Sequence, residues 1–410
     1  MKNVLKISFK REKFTICQWI IAMIIFINGL GVVIDVWDIN IVNILSVVAF
    51  IAIIIDVSSN RHAFGNFIQG KKRYFIILFF LWLVYALFQG VFFGAFQNAN
   101  GLPVYRQLLT NAIIVYFACY AVKDKNSYLL LCNAIYAVLI VNVIIGIYEI
   151  ITGNHFSEAT SIWNVDSTRA FQSNPNEYAT TVYCAFLSLI LFAVEKRLSF
   201  SKVIVGLLGC VCVYTSNCRG IFYAMILYGL CFLFIQIYYR LHLSAKSMRG
   251  LVLLGILLFL LLAVSSHLYD VMKWIVGWIS KESDIASDYS RISMIREGMK
   301  LFRMSYGLGL GPGQSSYHLG INVHNLFVEL LADYGIIIFL PVMLIWWIIW
   351  KNAFIREYPR KIRCMYFSLI PSLVLASVIS SSILKFKMLW VMLLLFLISD
   401  EYILLKRDFI

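Results

Sequence analysis

The chain has 410 residues, of which 61% are hydrophobic and only 14% charged, against roughly 45–50% apolar and about 25% charged in an ordinary soluble domain. No soluble core hides that much apolar surface, so the composition excludes a soluble globular protein and points to repeated crossing of a bilayer at roughly 20 residues per span. The formal charge of +14 is therefore read first by side of the membrane, and no nucleic-acid partner is expected.

Apolar runs bounded by charge predict spans near 14–34, 39–57, 74–96, 104–122, 128–151, 177–194, 200–217, 219–240, 250–269, 323–350, 362–383 and 386–405. Runs this long without an alternating polar face satisfy their backbone hydrogen bonds as helices rather than as a barrel. The expected fold class is an all-α integral membrane protein, a bundle of about 12 transmembrane helices forming a single polytopic membrane domain over residues 1–410. Lys2, Lys6, Lys10, Arg11 and Lys13 precede the first span with no small-residue cleavage site after it, the pattern of an uncleaved signal helix.

The loops test this assignment, because Lys and Arg concentrate on the cytoplasmic side. Arg61, Lys71, Lys72 and Arg73 follow span two, Lys123 and Lys125 span four, Lys196, Arg197 and Lys202 span six. Arg240, Lys246 and Arg249 follow span eight, and Lys351, Arg356, Arg360, Lys361 and Arg363 span ten, whereas Asp35, Asp38, Asn98 and Asn100 lie in loops between. The alternation places both termini in the cytoplasm of a plasma or inner-membrane protein. Two outward loops are long, 152–176 and 270–322, the second lying between spans nine and ten. Within the second, Val271, Trp274, Ile275, Trp278 and Ile279, and again Ile292, Ile295, Met299 and Phe302, recur at the spacing of short amphipathic helices at the outer interface. Of nine cysteines only Cys218 approaches the outer surface, and the spacings form neither a disulfide framework nor a metal motif, so no metal and no cofactor are expected.

Four outward features could carry chemistry. Arg169 precedes span six, where Asn174, Pro175 and Asn176 form a turn and helix cap. Arg219 sits in the tight TSNCRG reversal, where an interfacial cation offers a planar fork suited to phosphate. Arg291, Arg296 and Arg303 lie on one helix ahead of the Gly307, Gly309, Gly311, Gly313 tract, with Arg291 opening that helix and the glycines making a flexible re-entry into the membrane surface. His324 is expected in the first turn of span ten, where the helix dipole favours neutral imidazole able to take a proton from a sugar hydroxyl. Asn325 can hydrogen-bond locally, and Glu329 and Asp333 fall four apart on one face at a depth where acids need partners, for which the outward arginines are expected. As chemistry the set reads as metal-free handling of an anionic lipid-linked substrate.

At RAFQSNPNEYA, TSNCRG, SRISMIREGMKLF with GLGLGPG, and HNLFVELLADYG, residues 169–335, the chain resembles the O-antigen ligase and polymerase superfamily of bacterial surface-polysaccharide enzymes. The resemblance implies glycosyl transfer between undecaprenyl-pyrophosphate-linked glycans on the outer face of the membrane, with inversion. It assigns catalytic roles to His324, Arg291 and Arg219, and substrate binding to Arg169, Arg296, Asn176 and Asn325. Membrane lipid, a flippase and a chain-length regulator of the same pathway are the implied partners. Cys218 stands where the pattern expects Ser. The polymerase is favoured, on an Ile-, Phe-, Asn- and Lys-rich composition of the kind AT-rich genomes encode; a ligase is the alternative. A flippase or transporter is the second, for which Arg106 near the start of span four is a candidate.

Overall fold

A computed structural model describes residues 14–31, 35–36, 39–59, 65, 67–158, 166–195, 198–240, 283–355, 358–379 and 382–404. In chain order the helices are α1 (Ile16–Leu30), α2 (Ile41–Ser59), α3 (Lys72–Phe92), α4 (Gly101–Ala121), α5 (Lys125–Thr152), α6 (Pro175–Glu195), α7 (Phe200–Thr215) and α8 (Arg219–Arg240), followed by α9 (Ser283–Met304), α10 (Gln314–Leu319), α11 (Leu326–Lys351), α12 (Arg360–Ile379) and α13 (Lys387–Ser399). A two-residue antiparallel pairing of Asp35–Val36 with Ile39–Asn40 is a small departure from an all-helical chain. Predicted span 250–269 and the 271–279 helix lie outside the described residues.

This is an α-helical membrane protein. Among the described residues five helices are long and apolar enough to cross a bilayer: α2 over Ile41–Ser58, α3, α5, α6 over Pro175–Ala193, and α11 extended to Phe354. The expected count of about 12 is not reached among the described residues, because α1, α7, α8 and α12 contain shorter apolar stretches. The reason is visible in α1, where the Thr15–Gln18 capping box begins the helix and left-handed Gly31 ends it after 15 residues. At about 1.5 Å per residue that is short of the ~30 Å hydrocarbon layer.

The chain forms two compact units, described separately: Met1–Phe79 with Thr110–Cys212 and Lys387–Ile410, and Phe80–Leu109 with Val213–Phe386. In the first, α1 packs on α2, α5 and α13, and α6 packs on α5 and α13, burying Ile21, Ile24, Ile25, Val138 and Leu139. One end of this unit is tied by charge. Lys71 pairs with Asp400, and its backbone N–H donates to Glu401. Buried Lys72 donates to the carbonyls of Cys119 (3.3 Å) and Val122 (2.8 Å) at the end of α4, where a cation satisfies open carbonyls and complements the helix dipole. Lys123 pairs with Asp56 at 2.6 Å, and Tyr120 donates to the same carboxylate. These are ends that the loop-charge argument assigned to one side of the membrane.

In the second unit α8 packs along α12, and α12 and α9 both pack on α11. α11 is not one continuous helix: Gly335 stands at φ 64°, ψ −166° and breaks it. Backbone freed at membrane depth must find partners inside the protein, and the glycine tract supplies them. Leu310 N–H donates to the Ala332 carbonyl (2.9 Å), Gly311 N–H to that of Asp333 (2.8 Å), and Ile336 N–H to that of Gly307 (3.0 Å). Gln89 of α3 donates its amide to the carbonyls of Leu308 (3.0 Å), Gly309 (3.2 Å) and Asp333 (3.1 Å), and Tyr85 donates to Leu308 at 2.7 Å. The tract expected as a flexible re-entry is thus a pinned one.

At Gly335 a Cβ would overlap the Gly307 oxygen and the Leu308 carbonyl group, in addition to about 1–3 kcal/mol of backbone strain. Gly335→Ala is therefore expected to abolish recovery of monodisperse protein in detergent, whereas Gly153→Ala, at φ 71° in open space, costs about 1 kcal/mol. Size-exclusion profiles and thermal unfolding of the two variants measure the difference.

Candidate functional site

Of the expected site residues, Arg219, Arg291, Arg296, His324 and Asn325 belong to the second unit, and Arg169 and Asn176 to the first. α9 is a helix over the predicted stretch, but it begins at Ser283, so Arg291 lies within it rather than opening it. The helix seats its apolar side on the start of α11: Gly298 is buried so close that a Cβ would stand 2.7 Å from Val328 Cγ1 and 3.2 Å from Val323. Arg296 and Arg303 face outward on the exposed side. Arg219 is the first residue of α8 and half-buried, while the preceding Cys218, expected near the surface, is buried and gives its carbonyl to Ile221 and Phe222 N–H. That carbonyl opens the helical ladder, as the residue before a helix does.

His324 is half-buried and precedes the helix rather than lying in its first turn. The cap decides this: Asn325 Oδ1 accepts the N–H groups of Phe327 and Val328, both at 3.1 Å, so α11 starts at Leu326. His324 stands just before the cap in left-handed backbone, φ 55°. Asn325 thus has a capping duty beneath the substrate role expected of it.

The buried acids of α11 do not take the expected arginine partners in the described residues. Glu329 accepts from the Ser382 hydroxyl (2.6 Å) and the Ile383 N–H (2.9 Å). Asp333 accepts from Gly313 N–H (3.1 Å) and Ser315 N–H (2.7 Å). Backbone donors can satisfy a carboxylate without a second charge, which avoids desolvating an ion pair. Next to them, Gln314 donates to the Ala95 carbonyl at 3.0 Å and accepts from Asn98 at 2.7 Å, and Asn100 donates to Ser316 at 3.2 Å. The loop between α3 and α4 thereby docks on α10.

In the first unit Arg169 is only 4% exposed. Its Nε donates to the Ser157 carbonyl (2.9 Å) and Nη1 to that of Ser167 (3.3 Å). Asn174 Oδ1 accepts the Asn176 N–H at 2.9 Å, with Pro175 opening α6, so the expected cap is present and Asn176 lies in its first turn. What sequence reasoning missed is Glu149, 2% exposed near the end of α5. Its carboxylate accepts from the N–H groups of Phe156 (3.2 Å), Arg169 (2.9 Å) and Ala170 (3.1 Å). The available signal was a lone acid in an apolar run, which in a membrane segment marks a needed partner.

Residues 204–343 match the family model described as O-antigen ligase, an interval holding Arg219, the glycine tract, His324 and the Gly335 break. The resemblance to the O-antigen ligase and polymerase superfamily is borne out. Teichuronic acid biosynthesis protein TuaE of Bacillus subtilis (strain 168) is 26% identical over 310 residues, covering 70% of this chain. The match spans 62% of the length of that relative. Together these matches support the resemblance to the O-antigen ligase and polymerase superfamily.

Glu149→Ala strands three backbone donors, at about 1–3 kcal/mol for each that stays buried and unpaired. It is expected to lower the melting temperature and open the 152–176 loop to protease, with Glu149→Gln intermediate; limited proteolysis with peptide mapping measures both.

Proposed function

We propose that the chain is a polymerase joining undecaprenyl-pyrophosphate-linked oligosaccharide repeat units into O-antigen, capsular or exopolysaccharide on the outer face of the plasma or inner membrane, with both termini cytoplasmic. The observation that carries this reading is the family match over 204–343, which contains the segment where His324 is held immediately before the capped start of α11. The relative's part in teichuronic acid biosynthesis supports an envelope polysaccharide as the product class.

On this reading an acceptor sugar hydroxyl attacks the anomeric carbon of the donor glycan. Its proton passes to the His324 imidazole, the bond from anomeric carbon to phosphate oxygen breaks with inversion, and the electron pair leaves on undecaprenyl pyrophosphate. Arg219 and Arg291 act on the developing negative charge, as preorganised cations do in other transfer reactions, and Arg296, Asn176 and Asn325 bind substrate. Arg169, which the resemblance also assigns to the pyrophosphate, organises its own loop as well. The reading needs no metal or cofactor. Its partners are the lipid-linked glycans, the flippase that delivers them and a chain-length regulator.

The description of the matched family favours a ligase as the second reading, in which finished glycan moves to an acceptor. Deleting the gene separates the two: single repeat units on carrier or acceptor support the polymerase, and carrier-bound long chains support the ligase. His324→Ala and Arg291→Ala are expected to fold and to leave only single repeat units on glycan gels. Long polymer from either variant overturns the catalytic assignment.

A further inference from the structure

The segment that carries His324 is fastened at both ends to α11. At its start, Asp333 holds the N–H groups of Gly313 and Ser315, the first turn of α10, while the Asp333 carbonyl holds Gly311 N–H. At its end, Asn325 caps α11. Between the two fastenings the chain runs up α10, leaves it through left-handed Gly320 (φ 72°), and after three residues reaches His324 at φ 55°. A non-glycine residue stays in that backbone region when its surroundings over-determine it. The cap at Asn325 fixes one side of His324; on the other side Val323 is buried beside Gly298 of α9, and the chain reaches it from α10.

We infer that Asp333 is a positioning residue for His324. Its carboxylate, 2% exposed, anchors α10 and so sets where the six-residue helix delivers the loop that ends in His324. The geometry has the features of such a support: both carboxylate oxygens are engaged, the acceptor is buried, and it belongs to the same helix that His324 precedes. Asp333 touches no substrate on this account and acts through α10. The inference rests on His324 being the residue that receives the acceptor proton.

The test uses the full chain in detergent with diethyl pyrocarbonate, and peptide mass spectrometry reads carbethoxylation of His324 apart from His318, with His155 of the other unit as internal reference. In Asp333→Ala the rate at His324 is expected to change several-fold and its pH midpoint to move, with His155 unchanged and Asp333→Asn, which keeps one acceptor oxygen, restoring part of the wild-type behaviour. Ser315→Pro removes one donor in the first turn of α10, where proline is tolerated, and serves if Asp333→Ala does not fold. A folded Asp333→Ala or Ser315→Pro protein whose His324 keeps the wild-type rate and midpoint overturns the inference. Glycan chain length is read on the same variants and on His324→Ala. Long polymer from His324→Ala sinks the catalytic reading while the reactivity result stands by itself, and unaltered His324 reactivity sinks only the role of Asp333.

Discussion

A polypeptide in a bilayer has no water to complete its backbone hydrogen bonds, and the second unit is arranged around that constraint at Gly335. Breaking α11 there leaves donors and acceptors open where lipid can supply none. The glycine tract closes them by running alongside the break, close enough that Gly309 and Gly335 would collide through any Cβ. Gln89 then takes up three carbonyls that the two segments leave over. The junction lies beside α10, on which the α3–α4 loop docks through Asn98 and Asn100 and from which the chain runs on to His324.

The acids of α11 serve the same end. Glu329 and Asp333 reach different loops, Ser382–Ile383 and Gly313–Ser315, and each brings a stretch of non-helical chain against the helix. In the first unit Glu149 plays the corresponding part for the 152–176 loop. Carboxylates that fasten backbone amides hold the described parts of these loops without a disulfide; all nine cysteines are free.

Much of the helical layout could be read from hydropathy, because a bilayer imposes length and apolarity on one continuous stretch at a time. α8 and α5 fall within a few residues of the runs that announced them, and the Asn174–Pro175 and Asn325 caps follow from local chemistry. Less legible was anything set by pairing at long range. The glycine tract looked flexible because its partners lie on α3 and on both sides of the α11 break, and the acids looked as though they needed arginines because their amide donors are invisible in a list of side chains. His324 was displaced by one cap: Asn325 accepts two N–H groups and so starts the helix after itself. The Arg169 segment was legible as a loop, but its burial depends on Glu149, a neighbour in space and not in sequence.

The reach of Gln89 also bears on how the protein is made. Its carbonyl partners at Leu308, Gly309 and Asp333 lie 219, 220 and 244 residues later in the chain. At roughly 5–20 residues per second of synthesis, α3 waits on the order of ten seconds or more with a polar amide near the end of an otherwise apolar helix. During that interval the amide is without the partners it has in the finished fold, in a solvent that offers it little. Synthesis of α3 and its docking on these carbonyls are therefore separate events in time, because the junction cannot close before Asp333 has been made.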